Sequence, residues 1–250
     1  MSSQTLAKPL KSLHQPGKPL ILANVYDILS ARAVAALPSS KALATASYAI
    51  AAARGTTDED LGVDENLAAI PSIAAVAKQF NKPLTVDIQD GYGDSLEKSI
   101  TTLIGCGVVG VNLEDCDKNG KLYPVDTAVE RIKRTMAVAK NKHVPDFVVN
   151  ARCDVLVQGG KFDEVLDRGQ KYLAAGAITV FVWGASRGVS SQEVQTMVEK
   201  FDGHLNVLLS RKQDALTIPQ VRELNVTRIS VGPTLQLKAL TGEAEKLLNA

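Results

Sequence analysis

Aromatic side chains are scarce in this chain, with five Phe, five Tyr and one Trp among 250 residues. A surface that stacks nucleobases needs more of them, so a single-stranded nucleic acid is a poor partner. An excess of charge of either sign is lacking too. Lys and Arg number 28 against 27 Asp and Glu, a formal net charge of +1, which leaves no overall field to draw the protein to nucleic acid or anionic lipid. Cysteine is limited to Cys106, Cys116 and Cys153, without a Cys-x-x-Cys pair. That pattern supports neither a disulfide framework nor a structural zinc site and fits a reducing compartment. No apolar run approaches the roughly 18 residues of a membrane-spanning helix, and the opening stretch MSSQTLAKPLKSLHQPGKPL lacks the apolar segment of a signal peptide. The expectation is a cytoplasmic protein with no membrane or nucleic-acid partner, and small-molecule chemistry is the better prior.

What the chain does have is aliphatic: 45% of its residues are apolar, 22% charged, the balance of a globular protein. From Pro19 onward short apolar runs alternate with amphipathic stretches. Strands are expected at residues 20–23, 42–46, 84–87, 110–113, 147–151, 178–182, 205–208 and 228–231. Helix periodicity marks 66–80, 125–140, 162–175, 190–201, 218–224 and 235–249. The alternation predicts an α/β fold, a (β/α)8 TIM barrel, occupying 18–250 as a single domain with a C-terminal helix, preceded by a flexible segment, 1–17. Glycines or Asn at Gly107, Gly176 and Asn225 end helices just before strands, where a left-handed cap is wanted. An open doubly wound sheet is the rival, but its Gly-rich first turn is missing from Asn24-Val25-Tyr26-Asp27.

In a barrel the chemistry sits where strands hand over to the following loops. Strand three runs into Asp87-Ile88-Gln89-Asp90-Gly91-Tyr92-Gly93, strand four into Asn112-Leu113-Glu114-Asp115, strand five into Asn150-Ala151-Arg152-Cys153-Asp154. Carboxylates at the ends of neighbouring strands suit a hard, oxygen-seeking Mg²⁺, and Arg152 offers a planar fork to a substrate carboxylate or phosphoryl group. A rim position suggests that Arg152 serves turnover and is dispensable for folding. Asn206, on strand seven, is a candidate substrate hydrogen-bonding group.

The segment from Val86 to Gly93 resembles the D-x-D-x-G-[YF]-G metal-binding segment of the isocitrate lyase/phosphoenolpyruvate mutase superfamily. Thr45-Ala46-Ser47-Tyr48-Ala49 and Gly55-Thr56-Thr57-Asp58 resemble its carboxylate-binding turn and catalytic Asp, Asn112-Leu113-Glu114-Asp115 its second metal segment, and Asn150-Ala151-Arg152 its substrate-binding Arg. The likeness extends in consistent order over residues 18–233 and includes 176–184 and 229–233.

The resemblance implies a Mg²⁺-dependent enzyme acting on a small 2-oxo or 2-hydroxy acid through a metal-stabilised enolate, cleaving or forming a C–C bond. Phosphonomutase, phosphonopyruvate hydrolase or oxaloacetate decarboxylase chemistry is the alternative, and a catalytically weak ligand-binding barrel is a third reading. In the implied roles, Asp87 and Glu114 hold the metal and Gln89 orients a metal-bound water. Backbone N–H groups around Ser47 and Tyr48 take the substrate carboxylate, Arg152 grips the departing fragment, and Asp58 serves as base or nucleophile. Two departures stand out. Gln89 replaces an acid of the metal motif, and the stretch after Glu114 lacks the Lys-[Lys/Arg]-Cys-Gly-His loop that carries the general acid of the lyases. The same stretch, Asp115 to Asp126, also fits an EF-hand-like calcium spacing, although a strand precedes it and the last position is Asp rather than Glu. His14, His143 and His204 show no metal-ligand spacing. Leu235, Leu237, Leu240, Leu247 and Leu248 make the closing helix more apolar than a terminal cover requires. That excess, with the family's habit of exchanging C-terminal helices, implies a homo-oligomer, a dimer or tetramer.

Overall fold

The structure, a computed structural model, describes residues 3–209 and 216–249. Among the described residues nine parallel strands form one sheet: β1 Leu20–Leu22, β2 Asn24–Val25, β3 Leu43–Thr45, β4 Leu84–Asp87, β5 Gly110–Glu114, β6 Val148–Cys153, β7 Thr179–Val182, β8 Leu205–Leu208 and β9 Arg228–Ser230. Their order is β1-β9-β8-β7-β6-β5-β4-β3-β2. Because β1 pairs with β9 and β2 with β3, the ring is interrupted only at Ala23, and the expected first strand is one barrel position shared by two short strands. The Asn24 side chain holds that break: its Nδ2 donates to the Thr45 carbonyl at 2.7 Å, and its Oδ1 accepts from Gly232 N–H at 2.8 Å.

Side chains alternate across each strand, so one face of the sheet turns to the helices and the other to the barrel interior. Val86, Val111, Leu113, Val149, Ala151, Val180 and Ile229 belong to the buried apolar core. The intervening residues, Asp87, Asn112, Asn150, Thr179, Asn206 and Ser230, hydrogen-bond one another across the interior. The apolar core thus lies between sheet and helices, and the interior is polar.

All six expected helices form, among them Val63–Gln79, Val125–Asn141 and Phe162–Ala174. Ile28–Ala35, Ser47–Ala53 and Leu96–Gly105 are further helices that periodicity did not mark. Gly107 and Gly176 at φ 95° and 109°, with Asn225 at φ 62°, supply the turns out of their helices.

The N-terminal segment corrects the expectation of a flexible stretch. Ser3–Ser12 is a helix despite Pro9, and Ala7 and Leu10 are fully buried in the core. Lys11 Nζ bonds Asp146 at 2.9 Å, just before β6, and Leu10 lies against Gly110 at the start of β5, so the helix covers the N-terminal end of the barrel. His14 is buried beside it, donating from Nδ1 to the Leu10 carbonyl at 2.9 Å, with Nε2 unpartnered. Burial first, and then the charge of Arg228, lower its pKa from 6.5 to about 3. The unfolded chain therefore binds a proton below pH 6.5 that the folded chain refuses until about pH 3, so this site withdraws stability as pH falls through that window. Between about pH 7 and about pH 5 the expected loss is about 2 kcal/mol. Urea unfolding at both pH values should show that difference shrinking in His14→Asn; an unchanged difference would place the titration elsewhere.

Candidate active site

At the C-terminal rim a cavity of about 1560 Å³ opens into the barrel, and Ser47, Tyr48, Asp58, Asp87, Arg152 and Asn206 all line it. Asp87 ends β4, and its carboxylate is held by three donors. Oδ2 accepts from Ser47 N–H at 3.0 Å and Ser47 Oγ–H at 3.1 Å, and Oδ1 accepts from Asn112 Nδ2 at 2.9 Å. Ser47 is the first residue of its helix, where N–H groups lack intrahelical partners, so the seat is local in origin. The Ser47 N–H that resemblance offers to a substrate carboxylate is here engaged with Asp87, and the Tyr48 side chain is half exposed at the mouth.

Asn112 is itself oriented. Its Oδ1 accepts from Asn150 Nδ2 at 2.7 Å, and Asn150 Oδ1 accepts from Thr179 Oγ1 at 2.6 Å, so a chain of side chains leads across β7, β6 and β5 to Asp87.

Glu114 and Gln89 stand behind the cavity rather than on its wall. Glu114 Oε1 accepts from Arg152 Nη1 at 2.6 Å, and Gln89 donates from Nε2 to Asp58 Oδ1 at 3.2 Å and to the Asp58 carbonyl. Gln89 is left-handed at φ 50°, which turns its side chain toward the Asp58 loop. Arg152 also donates from Nε to Asp154 Oδ1 at 2.8 Å and stacks on Trp183, 4.2 Å from the ring centroid. Its fork is therefore clamped between two carboxylates, and the expectation of an Arg152 dispensable for folding is revised accordingly.

Asp58, Asp87, Glu114 and Asp154 place four carboxylates around the one guanidinium of Arg152. Burial, with the like charges of Asp87, Asp154 and Asp58, pushes Glu114 up against the pull of Arg152. Burial and then Asp87 raise Asp58 to about 6, so a half-buried carboxylate on the cavity wall is poised to exchange a proton near neutrality.

Asp90 is directed away from this cluster. Its Oδ2 accepts from Tyr123 Oη at 2.7 Å and its Oδ1 from Tyr92 N–H at 2.8 Å, with Arg131 close by. Asp115 is buried, accepting from Tyr172 Oη at 2.6 Å and Asp154 N–H at 2.8 Å. Asp117 Oδ1 accepts from the N–H groups of Asn119 and Lys121. These acids staple loops together, and among the described residues no group of three or more His, Cys, Asp or Glu is arranged to hold a metal, which speaks against the calcium reading of Asp115 to Asp126. Asn206 exchanges hydrogen bonds with Ser230 at 3.0 and 3.2 Å.

Asn112, Asn150, Asp154 and Arg228 are the site residues to which the sequence assigned no role. The available signal was a polar or charged residue inside an otherwise apolar strand, most visible at Arg228-Ile229-Ser230.

Comparison with known proteins agrees with this architecture. The phosphoenolpyruvate phosphomutase family model matches residues 10–248. A phosphoenolpyruvate phosphomutase of Streptomyces hygroscopicus is 28% identical over 211 residues, 79% of this chain and 64% of that protein. An uncharacterized protein of Mycobacterium tuberculosis is 29% identical over 88% of this chain and 80% of its own. Among solved structures, a Burkholderia cenocepacia J2315 protein assigned as a phosphonomutase superposes with a TM-score of 0.88 at 32% identity, covering 99% of both chains. A polar-lined (β/α)8 barrel, the Asp87 seat at its rim and a family match over nearly the whole length together establish that the chain belongs to the phosphoenolpyruvate phosphomutase family, within the superfamily shared with isocitrate lyase.

Proposed function

We propose that this protein is a Mg²⁺-dependent enzyme that makes or breaks a C–C bond in a small 2-oxo or 2-hydroxy acid by way of an enolate. The observation that carries this reading is the pair of carboxylates on the cavity wall, Asp58 and Asp87, backed by Glu114 and Asp154, with the one guanidinium of Arg152 among the four. Such a donor set is hard, oxygen-rich and short of positive charge, which suits a divalent cation by its chemistry, while among the described residues the acids are not gathered into a ready-made metal site and Glu114 is turned to Arg152. Asp87 would hold it directly, and Glu114 would do so on releasing Arg152. Gln89 brings no charge and faces Asp58, so its part is confined to orienting water. Mg²⁺ bound there would supply Lewis-acid stabilisation of negative charge on a substrate oxygen.

The remaining work falls to the chain itself. Ser47 and Asn112 fix Asp87, Trp183 and the paired acids fix Arg152, and Asp58 takes or returns the proton. The direct test is exchange of the C3 protons of pyruvate and longer 2-oxo acids followed by NMR with Mg²⁺ present. Exchange above the protein-free rate is expected, and its absence for every acid tried would leave C–P chemistry or a ligand-binding barrel.

A second reading, C–P bond chemistry, draws on the missing Lys-[Lys/Arg]-Cys-Gly-His loop: Cys116 is buried and off the cavity wall, so no thiol stands where a lyase would need its proton donor. The relatives named above, a phosphomutase and a protein assigned as a phosphonomutase, fit that chemistry. Phosphate release from phosphonopyruvate would distinguish the two.

The C-terminal helix supports a homo-oligomer. Leu240–Leu248 buries none of its residues, and Leu240, Leu247 and Leu248 are 63%, 78% and 86% exposed. An apolar helix without a seat on its own barrel is completed by a second copy. Sedimentation equilibrium should give a dimer or tetramer for the full chain and a smaller species after truncation before Thr234; a monomer in both cases ends the proposal. No described helix is long and apolar enough to cross a membrane.

A further inference from the structure

Three cations line the cavity among the described residues: Arg152, Arg187 and Arg228. Arg152 is held by Glu114 and Asp154, and Arg187 by Glu193. Arg228 is different. It is 3% exposed, and its Nε and Nη1 are buried without a hydrogen-bond partner. As the first residue of β9 it stands on the same face as Ser230 and one layer deeper, opposite Asn206 in register, so it forms the inner end of the cavity whose mouth carries Asp87.

A buried charge left unpaired costs several kcal/mol, and each unmet donor adds to that cost. Burial lowers the Arg228 pKa only to about 10, against the attraction of Asp87, so the group stays cationic at neutral pH. A fold does not gain stability from such an arrangement. A ligand oxyanion drawn into the cavity beside the guanidinium would, by contrast, offset its charge.

We propose that Arg228, with Asn206 and Ser230 beside it, is an oxyanion subsite at the floor of the cavity that receives the second anionic group, a carboxylate or phosphonate, of a dianionic acid. The inference deepens the acid-binding reading above and rests on it for the identity of the pocket. It narrows the substrate class: monoanionic 2-oxo acids fill the mouth alone, and a dianion spans from mouth to floor.

Trp183 is the only tryptophan and lines the same cavity, so its fluorescence reports occupancy. The full-length protein, metal-free in chelator, would be titrated with succinate, 3-phosphonopropionate and butyrate. The expected result is that Arg228→Met weakens the two dianions about 10- to 100-fold, the loss of a charge-assisted fork, and leaves butyrate within about twofold of wild type. The dianion that loses more identifies carboxylate or phosphonate as the preferred group. Arg228→Lys, which keeps the charge, should retain a preference for dianion over butyrate. The melting temperature of Arg228→Met should not fall, because an unpaired buried charge has been replaced by an apolar chain of similar length. Unchanged dianion affinity in Arg228→Met, an equal loss for all three ligands, or no binding of either dianion by wild type would overturn the subsite. Because no Mg²⁺ is present, failure of proton exchange under the previous heading leaves this result intact, and the reverse holds equally.

Discussion

Arg152→Ala is expected to cost about 3–5 kcal/mol of folding stability, the penalty for breaking a buried ion pair from one side, besides eliminating turnover. Both effects have one cause. Arg152 Nη1 lies 2.6 Å from Glu114 and Nε 2.8 Å from Asp154, whose side chains are 12% and 3% exposed. Removing the guanidinium leaves two carboxylates facing each other across a near-dry gap, with Asp87 and Asp58 adding their fields. Typical domains have only about 5–15 kcal/mol to lose, so the variant should unfold at markedly lower urea. Arg152→Lys should recover part of the stability, since one ammonium can still neutralise the pair, but little of the turnover, because the planar fork and its stacking on Trp183 are gone. Denaturation midpoints for the three proteins decide the matter. An alanine variant within about 1 kcal/mol of wild type would show that the two acids find other partners.

Asp87→Asn should have the opposite profile, a severe loss of function with a modest loss of stability. The amide keeps the shape of the carboxylate and can still accept from Ser47, but its NH₂ meets the Asn112 amide donor across the 2.9 Å contact. One mismatched hydrogen bond costs about 1–3 kcal/mol, offset in part by relief of repulsion with Asp58 and Glu114. Function has no such offset. Changes in the groups that merely orient a metal ligand cost about 10–100-fold in affinity, and loss of the ligand's own charge should cost more. Calorimetric titration with Mg²⁺, alongside the C3 proton exchange rate, tests this. Wild-type Mg²⁺ affinity in Asp87→Asn would remove Asp87 from the metal site.

The strands were readable because aliphatic runs of four to six residues between turn signals survive in any context. Their partners were not. Glu114 and Arg152 were assigned separate duties, metal and substrate, yet they are direct neighbours in the β5–β6 register and pair with each other before either meets a ligand. A single strand carries no mark of which residue lies across from it. The N-terminal helix was missed for a related reason: Pro9 reads as a breaker, and only the presence of a barrel end to cover turns Ala7 and Leu10 into core. Gln89 was legible as a departure from the metal motif. Its left-handed backbone and its contact with Asp58 were not, because they depend on the loop 58–62 arriving from another part of the chain.

The side-chain chain from Thr179 to Asp87 bears on how the barrel acquires its alignment. Each of its links joins residues that stand opposite one another: Thr179 with Asn150, Asn150 with Asn112, Asn112 with Asp87. The aliphatic residues around them, in runs such as Val148-Val149 and Val180, would pack nearly as well after a slip along the strand direction. A slip of one residue swings every interior side chain to the helix layer, and a slip of two breaks every amide link while leaving the pattern of faces intact. The asparagines thus discriminate against the offset that hydrophobicity alone tolerates, and substituting Asn150 by an isosteric leucine would trade one unique alignment of four strands for several of similar energy.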